Sequence, residues 1–389
     1  MEIIVHRGTH QVGGMATEIR TDKTRIIIDM GNELHNGMSD FISKPLNITG
    51  VTDDKGKCNA ILVTHSHDDH VGQLHLARRD IPIYMNAFTK TILNLTNQTL
   101  DAARLENVVV FENGIPFIIG DMKITPFAVD HCGDSSMFFI EADGKKILYT
   151  GDFRTHGFHG KDMEKFLDTS VQHVDALITE GTLLFRGVGA EPVPEIELQK
   201  EFKKYIDQYK YVFVLCSATN FDRMSSVANA LPPGKLFVCS AVQKELIDGF
   251  RKFVGDQTDF YGLADVEVYG RDLVPSMHEQ GFAMIIPAKS WVQDVIQEFS
   301  DDKNIVLYSM WSGYRNEPGS IIPALLDLAD AWATVHTSSH TAVEGIKKVI
   351  DITNPDYVIP VHTETPDLVR EYCTKKAVRI MQDKEILVV

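Results

Sequence analysis

The stretch Thr64-His65-Ser66-His67-Asp68-Asp69-His70 sets three imidazoles and a carboxylate (His65, His67, Asp69 and His70) inside six positions. Imidazole nitrogen and carboxylate oxygen are donors that suit zinc, with manganese or iron as substitutes. His65 and His67 can serve one cation, and Asp69 and His70 a neighbouring one. The alternative is a polar, exposed loop that binds nothing. Four donors packed at the end of an apolar run argue for metal. That run, Ala60-Ile61-Leu62-Val63, reads as a buried strand ending at Thr64, and an amphipathic run from Gln73 to Arg79 follows. The cluster therefore falls at a strand-to-helix junction, where the side chains of a tight loop converge.

Further donors recur at strand ends. Phe127-Ala128-Val129-Asp130-His131 closes one apolar run with a histidine, and Ile147-Leu148-Tyr149-Thr150-Gly151-Asp152 closes another with an aspartate. Tyr357-Val358-Ile359-Pro360-Val361-His362 ends in a histidine again, and Val335 to His340 reads as one more strand-to-helix junction. Alone, Asp152 is a turn residue after glycine and His131 a surface histidine. Beside the 65–70 cluster both read as ligands, with Asp152 placed to bridge two cations.

The elements that must position these groups fall into three parts. The first is strand-rich: Glu2–His6, Met15–Thr21, Thr24–Asp29, Ala60–Thr64, Met122–Phe127, Met137–Glu141 and Lys146–Tyr149, with Asp143-Gly144 as a hairpin turn. Helical patterns at Phe88–Leu100 and Asp162–Asp168 intervene, which predicts two packed sheets with helices outside. From about Leu183, helical patterns at Glu195–Tyr209, Asp222–Leu231, Ala241–Val254 and Ser290–Phe299 alternate with apolar runs at Tyr211–Cys216, Lys235–Cys239, Phe282–Ile286 and Asn304–Tyr308. Such alternation predicts a parallel sheet in an inserted α/β domain. The last part returns to the first domain, with helices expected over Thr341–Ile352 and Asp367–Lys376 and a final strand at Glu385–Val389.

At 389 residues the chain is long for one core, and 44% hydrophobic with 24% charged residues indicates a soluble globular protein. No apolar run approaches the ~20 residues that cross a bilayer. The opening Met1-Glu2-Ile3-Ile4-Val5-His6 reads as a first strand rather than a signal peptide, which predicts a cytoplasmic protein. The five cysteines, Cys58, Cys132, Cys216, Cys239 and Cys373, show no CxxC spacing and read as free thiols. Cys132 adjoins His131, and its expected role is a small packed side chain beside the site. A formal net charge of −16 argues against a generally basic nucleic-acid-binding surface, though not against a local groove.

The set HxHxDH at 65–70, then His131, Asp152 and His362, resembles the metallo-β-lactamase superfamily. A closer resemblance is to its β-CASP branch, the nucleic-acid-processing members that include the ribonuclease J family. It is carried by Ile178-Thr179-Glu180-Gly181-Thr182, by His336–Thr341, by Pro360-Val361-His362, and by Ser217–Met224 and Tyr308–Tyr314 within the insertion. The resemblance implies an α/β fold, the αβ/βα metallo-β-lactamase sandwich with an inserted α/β β-CASP domain. Its parts would be residues 1–182, 183–335 and 336–389. The motif at 336–341 reads HTSSHT, so Ser339 and Thr341 stand where the family has glycine and alanine, which implies an altered substrate fit. Against the resemblance, the sequence ends soon after its last strand, which leads to the expectation of a member without the additional C-terminal domain of full-length ribonuclease J.

By resemblance, one zinc ion is held by His65, His67 and His131 and a second by Asp69, His70 and His362, with Asp152 bridging and manganese as a substitute. Two cations activate water and neutralise the phosphodiester transition state. The same resemblance makes Asp69, His340 and Glu180 the catalytic set, His340 as general acid and Glu180 as the carboxylate that keeps it protonated. Asp68 is expected to orient a ligand histidine or cap a helix. Ser338, Ser339, Ser217 and Arg223 are the candidate substrate contacts, with a turn and helix cap as the alternative for the last two. Trp311 and Tyr314 read first as core aromatics and second as base-stacking groups. The expected activity is hydrolysis of RNA, or of single-stranded DNA, in a cleft between the domains, with no membrane partner and with a homodimer as the assembly that the resemblance implies. The competing reading is a small-molecule hydrolase of lactonase or thioesterase type on the same centre. An idle partner subunit is disfavoured because all seven ligand positions are filled.

Overall fold

Arg25-Ile26-Ile27-Ile28 shows how the first part of the chain is layered. Ile26 and Ile28 point into one apolar cluster and Ile27 into another, as the two-residue period of a strand requires. The inner cluster joins two sheets: Ile3, Val5, Ile26 and Leu62 from one meet Ile124, Phe138, Ile140, Ile178 and Ile359 from the other. Outside the first sheet, Ile27, Ile61 and Met85 pack against Val71, Leu74 and Leu93. Outside the second, Phe139, Leu148 and Leu177 pack against Met163, Leu167, Ile346 and Ile350. Helix, sheet, sheet, helix is the resulting order of layers.

The computed structural model describes residues 1–34, 42–96, 100–255, 258–374 and 377–389. It divides into a unit of residues 1–34, 42–192 and 339–389 and a unit of residues 193–338. In the first unit one sheet runs, in spatial order, Ile386–Val388, Glu2–Arg7, Ala16–Arg20, Arg25–Ile28, Ala60–Leu62, Ile83–Asn86 and Val109–Phe111. The other runs Ala377–Val378, Tyr357–Val361, Ala176–Glu180, Lys145–Tyr149, Ser136–Ala142, Met122–Ala128 and Phe117–Ile119. Arg25–Ile28, Ala60–Leu62, Ile83–Asn86 and Val109–Phe111 are mutually parallel, as are Lys145–Tyr149, Ala176–Glu180 and Tyr357–Val361. Parallel strands deliver their C-terminal ends to the same edge, the edge at which open α/β sheets bind ligands.

The second unit is built on one parallel sheet, in the order Val266–Val268, Leu236–Cys239, Phe282–Ile286, Tyr211–Leu215, Asn304–Tyr308 and Ala331–Thr334. Its central strands are buried on both faces, which is why they read as unbroken apolar runs rather than alternating ones.

Three expectations for helices are revised. The run after the histidine cluster forms only a one-turn helix over Asp68–Val71 and a 3-10 turn over Leu74–Leu76. Pro366–Leu368 is likewise a 3-10 turn, followed by a helix of four residues, Val369–Tyr372, and positions 375–376 lie outside the described residues. The helix expected over Phe88–Leu100 is observed as Ala87–Thr96, and positions 97–99 lie outside the described residues.

Candidate metal centre

Every donor named from the sequence sits just past a strand of the first unit. Ala60–Leu62 leads into His65–His70, Met122–Ala128 into His131, Lys145–Tyr149 into Asp152, and Tyr357–Val361 into His362. Met122–Ala128 is antiparallel to Ser136–Ala142, itself antiparallel to Lys145–Tyr149, so it too ends at the shared edge.

There the donors converge on a single oxygen. Asp152 Oδ2 lies 3.2 Å from His70 Nε2, 3.7 Å from His362 Nε2, 3.8 Å from His131 Nε2 and 3.9 Å from His65 Nε2. Asp69 Oδ2 is 3.1 Å from His362 Nε2 and 3.8 Å from His70 Nε2. His67 Nδ1 faces His131 Nε2 at 3.2 Å. The donors form two adjoining groups, one of His65, His67 and His131 with Cys132, and one of Asp69, His70, Asp152 and His362, and a third group of Asp152, Glu180, His340 and His362 overlaps the second.

The opposite nitrogens of four imidazoles are held by the protein. His65 Nδ1 meets Thr64 Oγ1 at 3.0 Å, and His70 Nδ1 meets Asp29 Oδ2 at 2.8 Å. His131 Nδ1 donates to the Ser339 carbonyl at 2.7 Å, and His362 Nδ1 meets Thr182 Oγ1 at 2.8 Å. Such outer partners fix ring orientation and tautomer, and they leave Nε2 aimed inward. The buried Nε2 atoms of His65 and His70 have no hydrogen-bond partner. Buried polar atoms are rarely left so, and a divalent cation is the partner that this donor set fits. The chain is a divalent-metal-binding protein by that test.

Backbone geometry locks the arrangement. Asp29 and His362 adopt left-handed φ values of +62° and +54°, a region that non-glycine residues occupy at a cost and that clusters at functional sites. The loop Met30-Gly31-Asn32 runs against the helix of the cluster: Met30 N donates to His70 O at 2.8 Å and Asn32 N to Asp68 O at 3.0 Å. A Cβ on Gly31 would stand 1.6 Å from the Asp69 carbonyl oxygen, so only glycine allows that approach.

Charge is divided between the two groups. Burial, reinforced by neighbouring imidazoles, pushes His65 well below the ordinary histidine range, and burial does the same to His131. Neutral rings are the form in which histidine ligates. Burial also acts on His70, but Asp152, Asp69 and Asp29 outweigh it and raise that ring well above the ordinary range. Asp152 is held well below the carboxylate range because His362 and His70 outweigh its burial.

His340 stands beside the second group. Its Nδ1 is 3.0 Å from Glu180 Oε2, 3.2 Å from Thr182 Oγ1 and 3.8 Å from Asp152 Oδ2. Glu180 is itself fixed by Phe153 N, which donates to Oε1 at 2.7 Å. Burial lowers the His340 pKa, yet Glu180, with Asp152 and Asp69, raises it to about 9. Its side chain is 20% exposed, whereas those of His65, His70, His131 and His362 are at most 1% exposed.

The remaining candidates divide. Ser339 acts through its backbone, as the carbonyl that holds His131. The helix expected from Thr341 begins at Val343 after an extended Ala342, and Ser338 lies in the second unit. Ser217 is an exposed turn residue whose hydroxyl is 3.2 Å from Thr219 Oγ1. Arg223 is a correction: it is 0% exposed, and its guanidinium is consumed within the second unit. It pairs with Glu195 at 2.7 Å and donates to Ser309 O at 3.3 Å and to Thr337 O at 3.3 Å, so it fastens elements together and has no face for substrate. Asp68 does not orient a ligand; it accepts from Asn32 Nδ2 at 3.0 Å. That orienting carboxylate is Asp29, and its signal was present as Ile26-Ile27-Ile28-Asp29, another apolar run closed by an acid. Trp311 and Tyr314 are 54% and 41% exposed, so they are not core aromatics.

Two family models match the chain: a beta-lactamase superfamily domain over residues 24–186 and a Zn-dependent metallo-hydrolase RNA specificity domain over residues 331–389. The chain belongs to the metallo-β-lactamase superfamily. Within that superfamily it is a ribonuclease J-like member of the β-CASP branch, an αβ/βα sandwich with an inserted α/β domain. Curated relatives of this β-CASP protein include ribonuclease J of Sinorhizobium meliloti, 23% identical over 82% of this chain and 60% of the relative. Ribonuclease J of Mycoplasma genitalium is 22% identical over 93% of this chain and 68% of the relative. The chain thus spans 60% of the length of the first of these relatives. A solved structure, a protein of unknown function from Enterococcus faecalis V583, shares the fold with a TM-score of 0.75 at 16% identity, covering 100% of this chain and 99% of that one. Among the described residues no helix is long and apolar enough to cross a membrane.

Proposed function

We propose that this β-CASP protein is a metal-dependent ribonuclease. One zinc ion would be held by His65, His67 and His131 and a second by Asp69, His70 and His362, with Asp152 between them and manganese as a substitute. The observation that carries the reading is the convergence of four Nε2 atoms on Asp152 Oδ2, with the His340–Glu180 pair beside it. When bound, the cations supply Lewis acidity at the phosphodiester and lower the pKa of nearby water from ~15.7 to about 7.

The chain's own residues supply the rest. Phosphodiester cleavage needs a proton for the departing 3′ oxygen. His340 Nδ1 meets Glu180 and Thr182, which assigns the donated proton to its Nε2–H, and the Glu180 carboxylate favours the charged ring. Thr182 joins His340 to His362, so the proton donor and a ligand share one support. On the second unit, exposed Trp311 and Tyr314 lie 5.4 Å apart, and Arg315 stacks over the exposed Trp332, groups suited to unpaired bases. Residues 183–335 would form the β-CASP insertion. The match to an RNA specificity domain at the C-terminus and the ribonuclease J relatives favour RNA over DNA as substrate.

The test is cleavage of 5′-labelled single-stranded RNA and matched DNA, with zinc or manganese, by wild type, Asp152→Ala and His340→Gln. Metal-dependent cleavage of RNA is expected, lost in Asp152→Ala. In His340→Gln it should slow by ~10²- to 10⁴-fold with metal affinity retained. Release of mononucleotides or of internal fragments assigns the mode of attack. A protein that binds its metals and cuts neither polymer refutes the proposal.

A further inference from the structure

We infer that Cys132 is a ligand of the His65–His67–His131 group, so that this side of the centre is a three-histidine, one-thiolate site matched to zinc rather than manganese. The inference rests on the metal centre proposed above and identifies which cation its first side takes.

Adjacent residues in an extended chain point apart, yet His131 and Cys132 serve one point because the chain turns on itself there. Ser135 N donates to Cys132 O at 3.2 Å and Val129 N to Ser135 O at 3.1 Å, and Ser136 N then reaches Thr64 O at 2.9 Å. The turn is thereby tied to the loop that carries His65 and His67. Cys132 Sγ and one nitrogen from each of His65, His67 and His131 all lie within 4.8 Å of one another. A tetrahedral zinc site with Zn–N near 2.0–2.1 Å and Zn–S near 2.3 Å places its donors roughly 3.3–3.6 Å apart. Closing the difference takes a displacement of roughly one ångström, within the range of a side-chain rotation.

Two further observations point to a ligand. His65 is 0% exposed, and its inward Nε2 has no hydrogen-bond partner. Asp152 Oδ2 lies 3.2 Å from His70 Nε2 but 3.8 and 3.9 Å from His131 and His65, so the bridging carboxylate leans to the second group. The first side holds three histidines and the longer contacts to Asp152, and Cys132 Sγ is a further donor within reach of it. Cys132 is also set apart from Cys58, Cys216, Cys239 and Cys373: those four are buried, and Cys132 is partly exposed. Its Sγ–H, a proton that metal binding would release, donates to Asp134 Oδ1 at 3.1 Å, and Sγ lies 3.0 Å from Ser135 Oγ. Asp134 is anchored in turn by Ser66 N at 2.8 Å and Thr89 Oγ1 at 2.9 Å. The sequence-based expectation of a merely packed cysteine does not account for a polar, half-open setting beside three imidazoles. Thiolate is a soft donor that favours zinc, whereas manganese prefers carboxylate and water oxygen.

The test is titration of metal-free full-length protein with cobalt(II), for wild type and Cys132→Ser, alongside X-ray absorption at the zinc edge. Wild type is expected to develop near-ultraviolet sulfur-to-cobalt charge transfer in one of two equivalents, and a sulfur shell near ~2.3 Å with zinc. Cys132→Ser should lack both and bind one equivalent at least ~10-fold more weakly. Its preference for zinc over manganese at that site should fall, and an unchanged circular dichroism spectrum shows that it is folded. If both proteins bind two equivalents with equal affinity and no sulfur signal, Cys132 is not a ligand and the metal centre stands. If wild type binds no cobalt, the centre itself is refuted, and this inference with it.

Discussion

Replacing Asp29 with asparagine isolates the group that aims His70. Asp29 is 0% exposed; its Oδ2 is 2.8 Å from His70 Nδ1 and accepts from Thr64 Oγ1 at 2.8 Å, while Oδ1 accepts from Thr64 N at 2.8 Å. All three interactions need an acceptor on the carboxylate. An amide offers one acceptor and one donor, so each orientation creates a conflict. With its oxygen on Thr64 N, the NH₂ faces His70 Nδ1 and forces the hydrogen onto Nε2, the nitrogen that must ligate. With its oxygen on His70, the NH₂ faces the Thr64 N–H, a buried donor against a donor that costs about 1–3 kcal/mol. Loss of such an outer partner weakens metal binding by ~10- to 100-fold, or about 1.4–2.7 kcal/mol. The upper end is expected here, because the tautomer is affected as well as the orientation. Chelator-competition titration measures this directly. Thermal unfolding gives a second reading: the gain in stability on saturation with metal should shrink by about RT times the logarithm of the affinity ratio. Wild-type affinity in Asp29→Asn, with the fold intact, would refute the claim that Asp29 sets the His70 tautomer.

Arg223→Ala strands the buried Glu195 carboxylate and should destabilise the protein by ~3–5 kcal/mol in urea unfolding, whereas Ser217→Ala on the exposed turn should stay within ~0.5 kcal/mol. An Arg223→Ala protein of wild-type stability that loses RNA affinity would restore its role as a substrate contact. Gly31→Ala drives a Cβ into the Asp69 carbonyl, so a loss of about 1–3 kcal/mol and weakened metal binding are expected together; tight metal binding by this variant would count against the close approach. Glu18 is buried, which raises its pKa, but hydrogen bonds from His6 and Arg25 outweigh that and lower it to about 2. A depressed carboxylate stabilises the fold above its unfolded pKa of 4.5 and loses that contribution as pH falls from about 5 toward 2, here about 2–3 kcal/mol. The pH–stability profile of Glu18→Gln should therefore be flatter over that range, and an unchanged slope would show that other carboxylates govern acid unfolding.

The donors were legible because their types and spacings are local. HxHxDH after an apolar run, and single acids or histidines closing other runs, need only a strand's length of sequence to be seen. The alternation of strand and helix across 195–308 was legible for the same reason, because the 2.0 and 3.6 periods are local properties. The short strands Ile83–Asn86, Phe117–Ile119 and Val266–Val268 were not, since three or four residues hold too few repeats to show a period.

What the sequence by itself determined is the chemistry of the centre: which atoms can ligate, and that a strand end carries each. What only the tertiary structure decided is which other atom each of those side chains meets, and those partners are far away along the chain. Asp29 and His70 are 41 residues apart, Thr182 and His362 180, and Ser339 and His131 208. The same distance effect separates Arg223 from Ser217, two residues that look equally available for substrate. Arg223 is removed from solvent by Glu195, Ser309 and Thr337, partners that come from three separate stretches of the chain. Local spacing encodes the donors, whereas their orientation, tautomer and exposure arise only once parallel strands bring their C-terminal ends to one edge.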